Sequence, residues 1–189
     1  MRRVNAARLL AGAGLLVALG AAAQTTRIAD REYGPVALRV DEQLRRDVDK
    51  PLKVDFHRRQ AFRLNSGALI LSAAWWPESG GDAHCGLAAV IGERVQVVDA
   101  LAGEADPPPW SCDGEPALRF TDLDADGCVD VIALYPMRPP SGERFAWPLV
   151  LRCEGDGYAL DAKRTLALRQ GKVPATLGQA MVRLSKIAR

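Results

Sequence analysis

Four cysteines constrain this chain more than any other feature, because cysteine pairs decide which segments of the fold must meet. They are Cys85, Cys112, Cys128 and Cys153. In an oxidising compartment an even number of cysteines is typical of a disulfide framework, and four cysteines allow three connectivities. A zinc site is the alternative, but the chain has no C-x-x-C spacing and only two histidines, His57 and His84. We therefore predict two disulfides.

The N-terminus, Met1–Ala23, indicates the compartment, because it has the three parts of a cleavable signal peptide. Its basic region contains Arg2, Arg3 and Arg8. The apolar stretch Leu9–Gly20 is too short to cross a bilayer comfortably, and Ala21–Ala23 supplies small residues for cleavage. A membrane anchor is the alternative, but no longer apolar run supports it. We expect residues 24–189 to form a single β-rich domain that is periplasmic or secreted.

Removal of this leader reverses the net charge. The full chain has 25 Lys and Arg residues against 23 Asp and Glu residues, which gives a net charge of +2. Three of the arginines belong to the leader, so 22 basic residues remain against 23 acidic ones, a net charge of −1. A nearly neutral chain gives no electrostatic reason to expect a nucleic-acid partner. We also expect no stable membrane span after cleavage, because no later apolar stretch is long enough.

A hairpin register favours the disulfides Cys128–Cys153 and Cys85–Cys112 over the other two connectivities. Val129–Tyr135 and Trp147–Arg152 both have strand-like patterns, and a turn-rich segment separates them. If these strands pair symmetrically, residues whose numbers add up to 281 face each other, which places Cys128 opposite Cys153. Directly opposed residues can lie close enough for a disulfide.

Apolar patterning predicts a mainly β fold, either a small antiparallel sheet or a sandwich. Leu52–His57 alternates between apolar and polar residues, as a half-buried strand does, and Pro35–Asp41 shows the same alternation. Asp41–Asp49 is charged and is interpreted as a short helix or a loop. The other predicted strands are Ala68–Trp76, Gly86–Ile91, Val95–Leu101, Ala117–Thr121, Val129–Tyr135, Phe145–Arg152 and Tyr158–Leu160.

A short C-terminal helix completes the predicted fold. Pro174 is suited to the first turn of a helix. Apolar residues then recur at steps of three and four, at Leu177, Ala180, Met181, Leu184 and Ile187. A basic amphipathic helix can lie on a membrane, but this one is short and only modestly apolar. Packing against the protein's own sheet is therefore favoured.

One motif carries metal chemistry, because residues 122–130 read Asp-Leu-Asp-Ala-Asp-Gly-Cys-Val-Asp. Counted from Asp122, carboxylates occupy positions 1, 3, 5 and 9, and Gly127 occupies position 6, where a calcium loop needs a sharp turn. Calcium prefers six to eight oxygen ligands in a flexible cage. The predicted calcium ligands are Asp122, Asp124, Asp126, Asp130 and the Cys128 carbonyl oxygen, which falls at position 7.

Electrostatic repulsion within this motif supports the same interpretation. Two carboxylates about 4 Å apart repel by about 4 kcal/mol at an effective dielectric constant of about 20. No Lys or Arg occurs between Asp122 and Asp130 to offset that repulsion. A plain Asp-Gly turn is the alternative, but four spaced carboxylates exceed what such a turn needs.

The motif differs from an EF-hand and resembles another calcium loop. Position 12 is Ala133 instead of the bidentate glutamate, and the flanking residues have strand patterns instead of helical ones. The motif Asp-x-Asp-x-Asp-Gly-x-x-Asp lies between two predicted strands. This arrangement resembles the loop of FG-GAP/VCBS-type repeats, which form calcium-binding blades of β-propellers. Gly155–Tyr158 resembles the closing turn of such a repeat, so the resemblance covers residues 118–158. It implies a bound calcium ion and propeller-blade-like hairpins.

The resemblance does not imply a complete propeller. A propeller needs at least about four blades, whereas the aspartate motif occurs once in this chain. We therefore expect one hairpin of this kind within a small antiparallel sheet or sandwich.

No constellation of catalytic residues is predicted. His84 beside Cys85 could suggest a base and a nucleophile, but sequence neighbours rarely form such a pair and Cys85 is predicted to be oxidised. His57 lies on the polar face of the predicted strand Leu52–His57, beside Arg58 and Arg59, which predicts solvent exposure. Three aromatic residues could stack on a sugar, but core or rim positions are favoured for them. They are Trp75, Trp76 and Trp110.

The sequence therefore predicts a non-enzymatic, exported binding or interaction module with a structural calcium loop. Its partner is expected to be a protein or a polysaccharide. The alternative is a cell-envelope enzyme, or an inhibitor of one, that acts on an envelope polymer. The two differ at the metal, because a structural ion is enclosed by its loop whereas a catalytic ion has an open coordination position beside a cleft.

Overall fold

Segments with alternating or continuous apolar patterns form two antiparallel sheets in the part of the chain that the structure describes. The structure, a computed structural model, describes residues 25–48, 51–106 and 108–187, and the predicted signal peptide at 1–23 lies outside them. The first sheet is a meander in which each strand pairs with its neighbour in sequence. Its strands are β1 (Thr25–Arg27), β2 (Leu52–Leu64), β3 (Leu69–Pro77), β4 (His84–Ile91) and β5 (Arg94–Asp99).

The second sheet has β8 and β9 at its centre and β10 at one edge. Its strands are β6 (Ser111–Cys112), β7 (Ala117–Thr121), β8 (Asp130–Arg138), β9 (Phe145–Glu154) and β10 (Gly157–Leu160). Cys112 pairs with Met137 and Ala117 pairs with Leu134, so β6 and β7 lie one after the other along the same side of β8. The predicted mainly β fold with antiparallel sheets is confirmed.

The main hydrophobic core lies between the two sheets. Ile70 and Leu87 enter it from the first sheet, and Tyr135 and Leu149 enter it from the second. All four side chains are inaccessible to water or nearly so. Burial of one such side chain stabilises the fold by about 1.5–3 kcal/mol before entropic costs. The long apolar runs of the central strands follow from this arrangement, because helices cover the outer faces of the same sheets.

Among the described residues, three helices cover the outer faces and give four layers, in the order helix, sheet, sheet, helix. They are α1 (Asp30–Asp47), α2 (Ala162–Arg169) and α3 (Leu177–Ile187). Val40 and Leu44 of α1 pack on the first sheet. Leu168 and Leu184 pack on Ile132 of the second sheet, so the predicted C-terminal helix is present and lies against the protein's own sheet.

The predicted strand Pro35–Asp41 is wrong, because these residues belong to α1. Val36 and Val40 are buried, whereas Leu38 is 59% exposed. A strand would place all three side chains on one face, but the helical period of 3.6 residues turns Leu38 away from the sheet. The charged segment Asp41–Asp49 contains the C-terminal part of the same helix, which ends at Asp47.

The structure contains the disulfides Cys85–Cys112 and Cys128–Cys153. The first joins β4 to β6 and therefore links the two sheets, and the second joins the β7–β8 loop to β9. The predicted register is wrong by one residue, because Val131 pairs with Leu151 and the paired numbers add up to 282. Cys128 precedes β8, which begins at Asp130, so the bridge closes outside the ladder between Cα atoms 5.8 Å apart.

Two disulfides fit an oxidising, extracytoplasmic location, because such bridges are rare in reducing compartments. Within residues 25–48, 51–106 and 108–187, none of the helices has the length and the apolar character that crossing a membrane requires.

His57 is buried, so its predicted solvent exposure is wrong. The alternation along β2 does turn His57 away from Phe56, but the face it points to packs against the second sheet. The His57 Nδ1 atom lies 2.9 Å from the Ser72 hydroxyl oxygen, which lies 3.5 Å from the Tyr135 hydroxyl oxygen. These three side chains form a polar chain that connects the two sheets.

This buried histidine makes the stability of the protein depend on pH. Burial lowers the pKa of His57 below its ordinary value of 6.5, although the charges of Glu115 and Asp55 act in the opposite direction. The unfolded chain therefore takes up a proton near pH 6.5 that the folded protein does not. We expect the free energy of unfolding to fall as the pH is lowered from about 7 to about 5.

Urea unfolding of the wild type and of His57→Gln, with a chelator present, measures this effect. The decrease between pH 7 and pH 5 should be smaller in the variant. His84 acts in the opposite direction, because its hydrogen bond to Asp99 raises its pKa, but it does so equally in both proteins. An identical pH dependence of the two proteins would contradict the prediction.

Candidate metal centre

The aspartate motif forms the loop of a hairpin between β7 and β8. Thr121 pairs with Asp130 at the base of the hairpin, so residues 122–129 form the loop. Two loop residues have positive φ angles, Gly127 at 87° and Ala125 at 61°. Glycine adopts this conformation readily, whereas alanine does so at a cost. The sharp turn predicted at Gly127 is present.

Three of the four predicted aspartates come together. Asp122, Asp124 and Asp130 each offer a carboxylate oxygen that lies within 4.8 Å of the others, and this group could hold a metal ion. They differ in exposure, because Asp130 is buried, Asp122 is half-buried and Asp124 is exposed. The cluster therefore reaches from the edge of the core to the surface.

Backbone amides hold Asp122 and Asp130 in place. The two Asp130 oxygens each accept one N–H bond at 2.9 Å, from Leu123 and from Cys153. The Asp122 oxygens accept N–H bonds from Asp126 at 3.2 Å and from Gly127 at 2.9 Å. Hydrogen bonds from backbone amides to a charged acceptor are about twice as strong as those to a neutral acceptor. Both carboxylates therefore help to organise the loop.

Asp126, the fourth predicted aspartate, is not part of this group. The Asp126 carboxylate accepts an N–H bond from Cys128 at 2.7 Å and so closes a local turn. The neighbouring Val129 carbonyl oxygen accepts a bond from the Tyr158 hydroxyl at 2.8 Å. Tyr158 belongs to the turn whose sequence resembles the end of an FG-GAP/VCBS-type repeat, and its burial raises its pKa to about 12.

Arg164 is a neighbour of the cluster that sequence reasoning missed. Its guanidinium lies 3.9 Å from the Asp124 carboxylate and 2.9 Å from that of Asp161. Asp161 is the N-cap of α2, because its side chain also accepts the Arg164 N–H bond at 2.8 Å. The capping residue Asp161 is the sequence signal that could have located the start of α2. The sequence contains no signal that α2 contacts the aspartate loop.

The electrostatic environment of Asp130 disfavours its charge. Burial raises the pKa of Asp130, and the nearby Asp124 raises it further. The amides of Cys153 and Leu123 and the charge of Arg164 act in the opposite direction. A cation bound between these carboxylates would favour the ionised form of Asp130.

The cluster is open to solvent on the Asp124 side. A pocket of about 320 Å³ adjoins that residue. Its charged lining residues are Asp124, Arg152, Asp161, Lys163 and Arg164. An ion at the cluster would therefore have one side facing this pocket.

The other candidate residues do not form a catalytic site with one another. Cys85 is in a disulfide, so it is no nucleophile, and His84 Nδ1 lies 3.1 Å from Asp99. Trp75 is 5% exposed and belongs to the hydrophobic core. Trp110 packs edge-on against Phe145 and a further tryptophan of β9, with centroids 4.8 Å apart in both pairs.

Comparisons with known proteins found no family model, no curated protein and no solved structure that matches this chain. The candidate site is therefore described by its own residues and geometry.

Proposed function

We propose that this protein is exported to the periplasm or the medium and binds one calcium ion at the tip of the β7–β8 hairpin. The ion is structural, and the folded protein acts as a binding or interaction module for a protein or a polysaccharide. One observation carries the proposal, the convergence of Asp122, Asp124 and Asp130 within 4.8 Å. Two disulfides in a β-rich fold support the exported location.

The distances within the cluster suit calcium. Calcium takes oxygen ligands at about 2.3–2.6 Å, so two oxygens on opposite sides of one ion lie up to about 5 Å apart. All three carboxylate oxygens satisfy that limit. Among the described residues each Asp130 oxygen has one N–H donor, which leaves a lone pair for a metal. Asp126 and the Cys128 carbonyl stay predicted ligands from the sequence.

We also propose that the hairpin is a loop of the FG-GAP/VCBS type. Four consecutive strands, β7 to β10, pair antiparallel in sequence order, as the strands of a propeller blade do. The aspartate loop joins the first two of these strands, and the Gly155–Tyr158 segment lies where the last two are joined. The surrounding two-sheet architecture supports a single such unit.

Calcium should stabilise the protein measurably. We expect a dissociation constant of about 10⁻⁴ to 10⁻³ M, as in extracellular modules. Calcium at 10 mM should then raise the free energy of unfolding by about 1.4 to 2.7 kcal/mol, which corresponds to an increase in Tm of about 3 to 10 °C. Calorimetric titration and melting curves with and without calcium measure both quantities. No binding heat together with no shift of Tm at 10 mM calcium would refute the proposal.

Asp124→Asn is the variant that tests the site most directly. The described contacts of the Asp124 carboxylate include no backbone amide, so its replacement leaves the hydrogen bonds of the loop intact. We expect calcium affinity to fall about tenfold or more while the Tm without calcium changes little. Asp156→Asn is the matched control, because Asp156 is 82% exposed and lies in another turn. Equal calcium binding by wild type and Asp124→Asn would exclude this cluster as the site.

The pocket beside Asp124 favours a second candidate function, in which the ion also contacts a bound envelope polymer. This function corresponds to the alternative predicted from the sequence, an enzyme or inhibitor that acts on an envelope polymer. Polymer binding through the ion needs an open coordination position beside a cleft, as a catalytic ion does. It requires calcium-dependent binding of an anionic polysaccharide such as alginate. Alginate binding that is unchanged by a chelator would exclude it.

A further inference from the structure

A second pocket lies on the outer face of the first sheet, where α1 ends. Its volume is about 350 Å³, which is within the range of small-molecule sites. Six of its lining residues are apolar, Leu44, Val48, Leu52, Trp75, Pro77 and Val97, and three are titratable, Asp47, His84 and Asp99. The pocket shares no residue with the aspartate cluster, so the inference drawn from it is independent of calcium.

Trp75 forms the rigid floor of this pocket. It pairs with His84 across β3 and β4, and the two rings are stacked with an interplanar angle of 12° and centroids 6.1 Å apart. Gly86 makes room for the indole, because a Cβ atom there would lie 3.0 Å from the Trp75 ring and would collide with the Val98 carbonyl oxygen. A flat aromatic surface is therefore held in place by its neighbours on the same strands.

His84 and Asp99 form a fixed polar pair at the side of the pocket. The His84 Nδ1 atom lies 3.1 Å from one Asp99 oxygen, and the other Asp99 oxygen accepts the Leu101 N–H bond at 2.7 Å. Asp99 is therefore held from two sides. When His84 is neutral the pair carries one negative charge at the side of the pocket.

Asp47 adds a second negative charge in an unfavourable place. It is the last residue of α1, where the negative end of the helix dipole disfavours a carboxylate. Its described hydrogen bond comes from the neutral Gln43 amide, at 2.8 Å. Among the described residues that line the pocket there is no Lys or Arg. The pocket therefore combines apolar walls with an unbalanced negative potential.

We propose that this pocket binds a small organic cation with an apolar body, such as an aryl- or alkylamine. The apolar part lies against Trp75 and Val97, and the ammonium group lies between the carboxylates of Asp47 and Asp99. A neutral molecule of the same shape gains only the apolar contact, and an anion is repelled. Selectivity by charge is thus the distinguishing property of the site.

The probes 3-phenylpropylamine, 3-phenylpropanol and 3-phenylpropanoate test this selectivity, because they share one shape and differ in charge. Binding is measured at pH 8 on the full chain, through NMR shifts of the Trp75 indole and of the Val97 and Asp99 amides. The amine should bind saturably. Its affinity should be about fivefold higher than that of the alcohol and about tenfold or more higher than that of the carboxylate. Alcohol binding as tight as amine binding, shifts centred elsewhere, or no saturation by about 10 mM amine would overturn the proposal.

Two variants locate the site, and one identifies a competing occupant. Asp47→Asn should weaken amine binding about fivefold and leave alcohol binding unchanged, while Asp156→Asn should change neither. Val97→Phe should fill the pocket and remove binding of all three probes. Lys50, which lies outside the described residues, precedes β2 in the chain. A tenfold or greater gain of amine affinity in Lys50→Gln would show that this lysine occupies the pocket and would overturn the proposal.

Discussion

Replacing Arg169 by methionine should lower the free energy of unfolding by about 3 kcal/mol. Arg169 is the last residue of α2, and its side chain is almost completely buried. The guanidinium pairs with the Glu104 carboxylate at 2.6 Å. It also donates to three main-chain oxygens, those of Pro148 at 3.1 Å, Ala102 at 3.0 Å and Ala100 at 2.7 Å. Methionine has a comparable length but no donor, so these oxygens lose their partner.

The effect is large because Arg169 connects three parts of the fold. Ala100 and Ala102 follow β5 of the first sheet, Pro148 lies in β9 of the second, and Arg169 itself ends a helix. The guanidinium carbon lies 4.6 Å from the centre of the Trp147 ring, which adds a cation–π contact. Burial lowers the pKa of Arg169, but an arginine in a protein keeps its charge. The hydrogen bonds therefore offset a real desolvation cost.

Urea unfolding at pH 7 measures the loss, and Arg94→Met is the matched control. Arg94 is more than half exposed and pairs with Asp156 at 3.1 Å on the surface. Such pairs contribute about 1 kcal/mol or less, so Arg94→Met should change stability little. Arg169→Lys should be intermediate, because lysine retains the charge but lacks the planar array of donors. Equal losses in Arg169→Met and Arg94→Met would show that the buried hydrogen bonds contribute nothing net.

Neither the position of Arg169 nor the presence of α2 follows from local sequence patterns. α2 has eight residues, and its apolar residues do not form a clear stripe. Its N-cap, Asp161, is a recognisable signal, but short helices depend mainly on tertiary packing. Thr165 illustrates that dependence, because its hydroxyl accepts the Val150 N–H bond of β9 at 3.0 Å. Contacts of that kind cannot be deduced from spacing within the helix.

The strands were more predictable than the helices, and α1 shows why. The two-residue period of a strand is satisfied by Val36, Leu38 and Val40. A segment of seven residues is too short to distinguish this period from the helical one. The long strands offered more repeats, and the hairpin loop at Gly92–Glu93 was flanked by clear apolar patterns on both sides. The predicted exposure of His57 is wrong for a different reason. Alternation gives the side of the strand on which a residue lies, but not what covers that side.

The convergence of the aspartates was predictable in part, because they lie within one short loop. Asp122, Asp124 and Asp130 converge as their positions indicate, since the turn at Gly127 brings the ends of the loop together. Arg164 was not predictable, because it reaches Asp124 from a helix forty residues away in the sequence. The pairing of the cysteines was favoured correctly even though the underlying register was wrong by one residue. Cys128 lies in the loop before β8, outside the paired part of the strands, so its position does not depend on the exact register.

Removing the disulfide Cys128–Cys153 should weaken both the fold and the calcium binding that we propose for the aspartate loop. The bridge links residues 25 positions apart, and its loss through Cys128→Ala with Cys153→Ala should cost about 3.5 kcal/mol of unfolding free energy by the chain-entropy estimate. Calcium affinity should also fall about tenfold, because the loop must then be ordered when the ion binds. The Cys153 amide, which donates to Asp130, lies next to the bridge and loses part of its support.

The other disulfide provides a matched control that separates these two effects. Cys85–Cys112 links residues 27 positions apart, so its loss should destabilise the protein by nearly the same amount, about 3.5 kcal/mol. It joins β4 to β6 and does not touch the aspartate loop. Calcium titrations at a temperature where both double variants are fully folded should therefore show reduced affinity only without Cys128–Cys153. Equal affinity losses in the two variants would mean that calcium binding depends on overall stability instead of on a loop held in place by its own bridge.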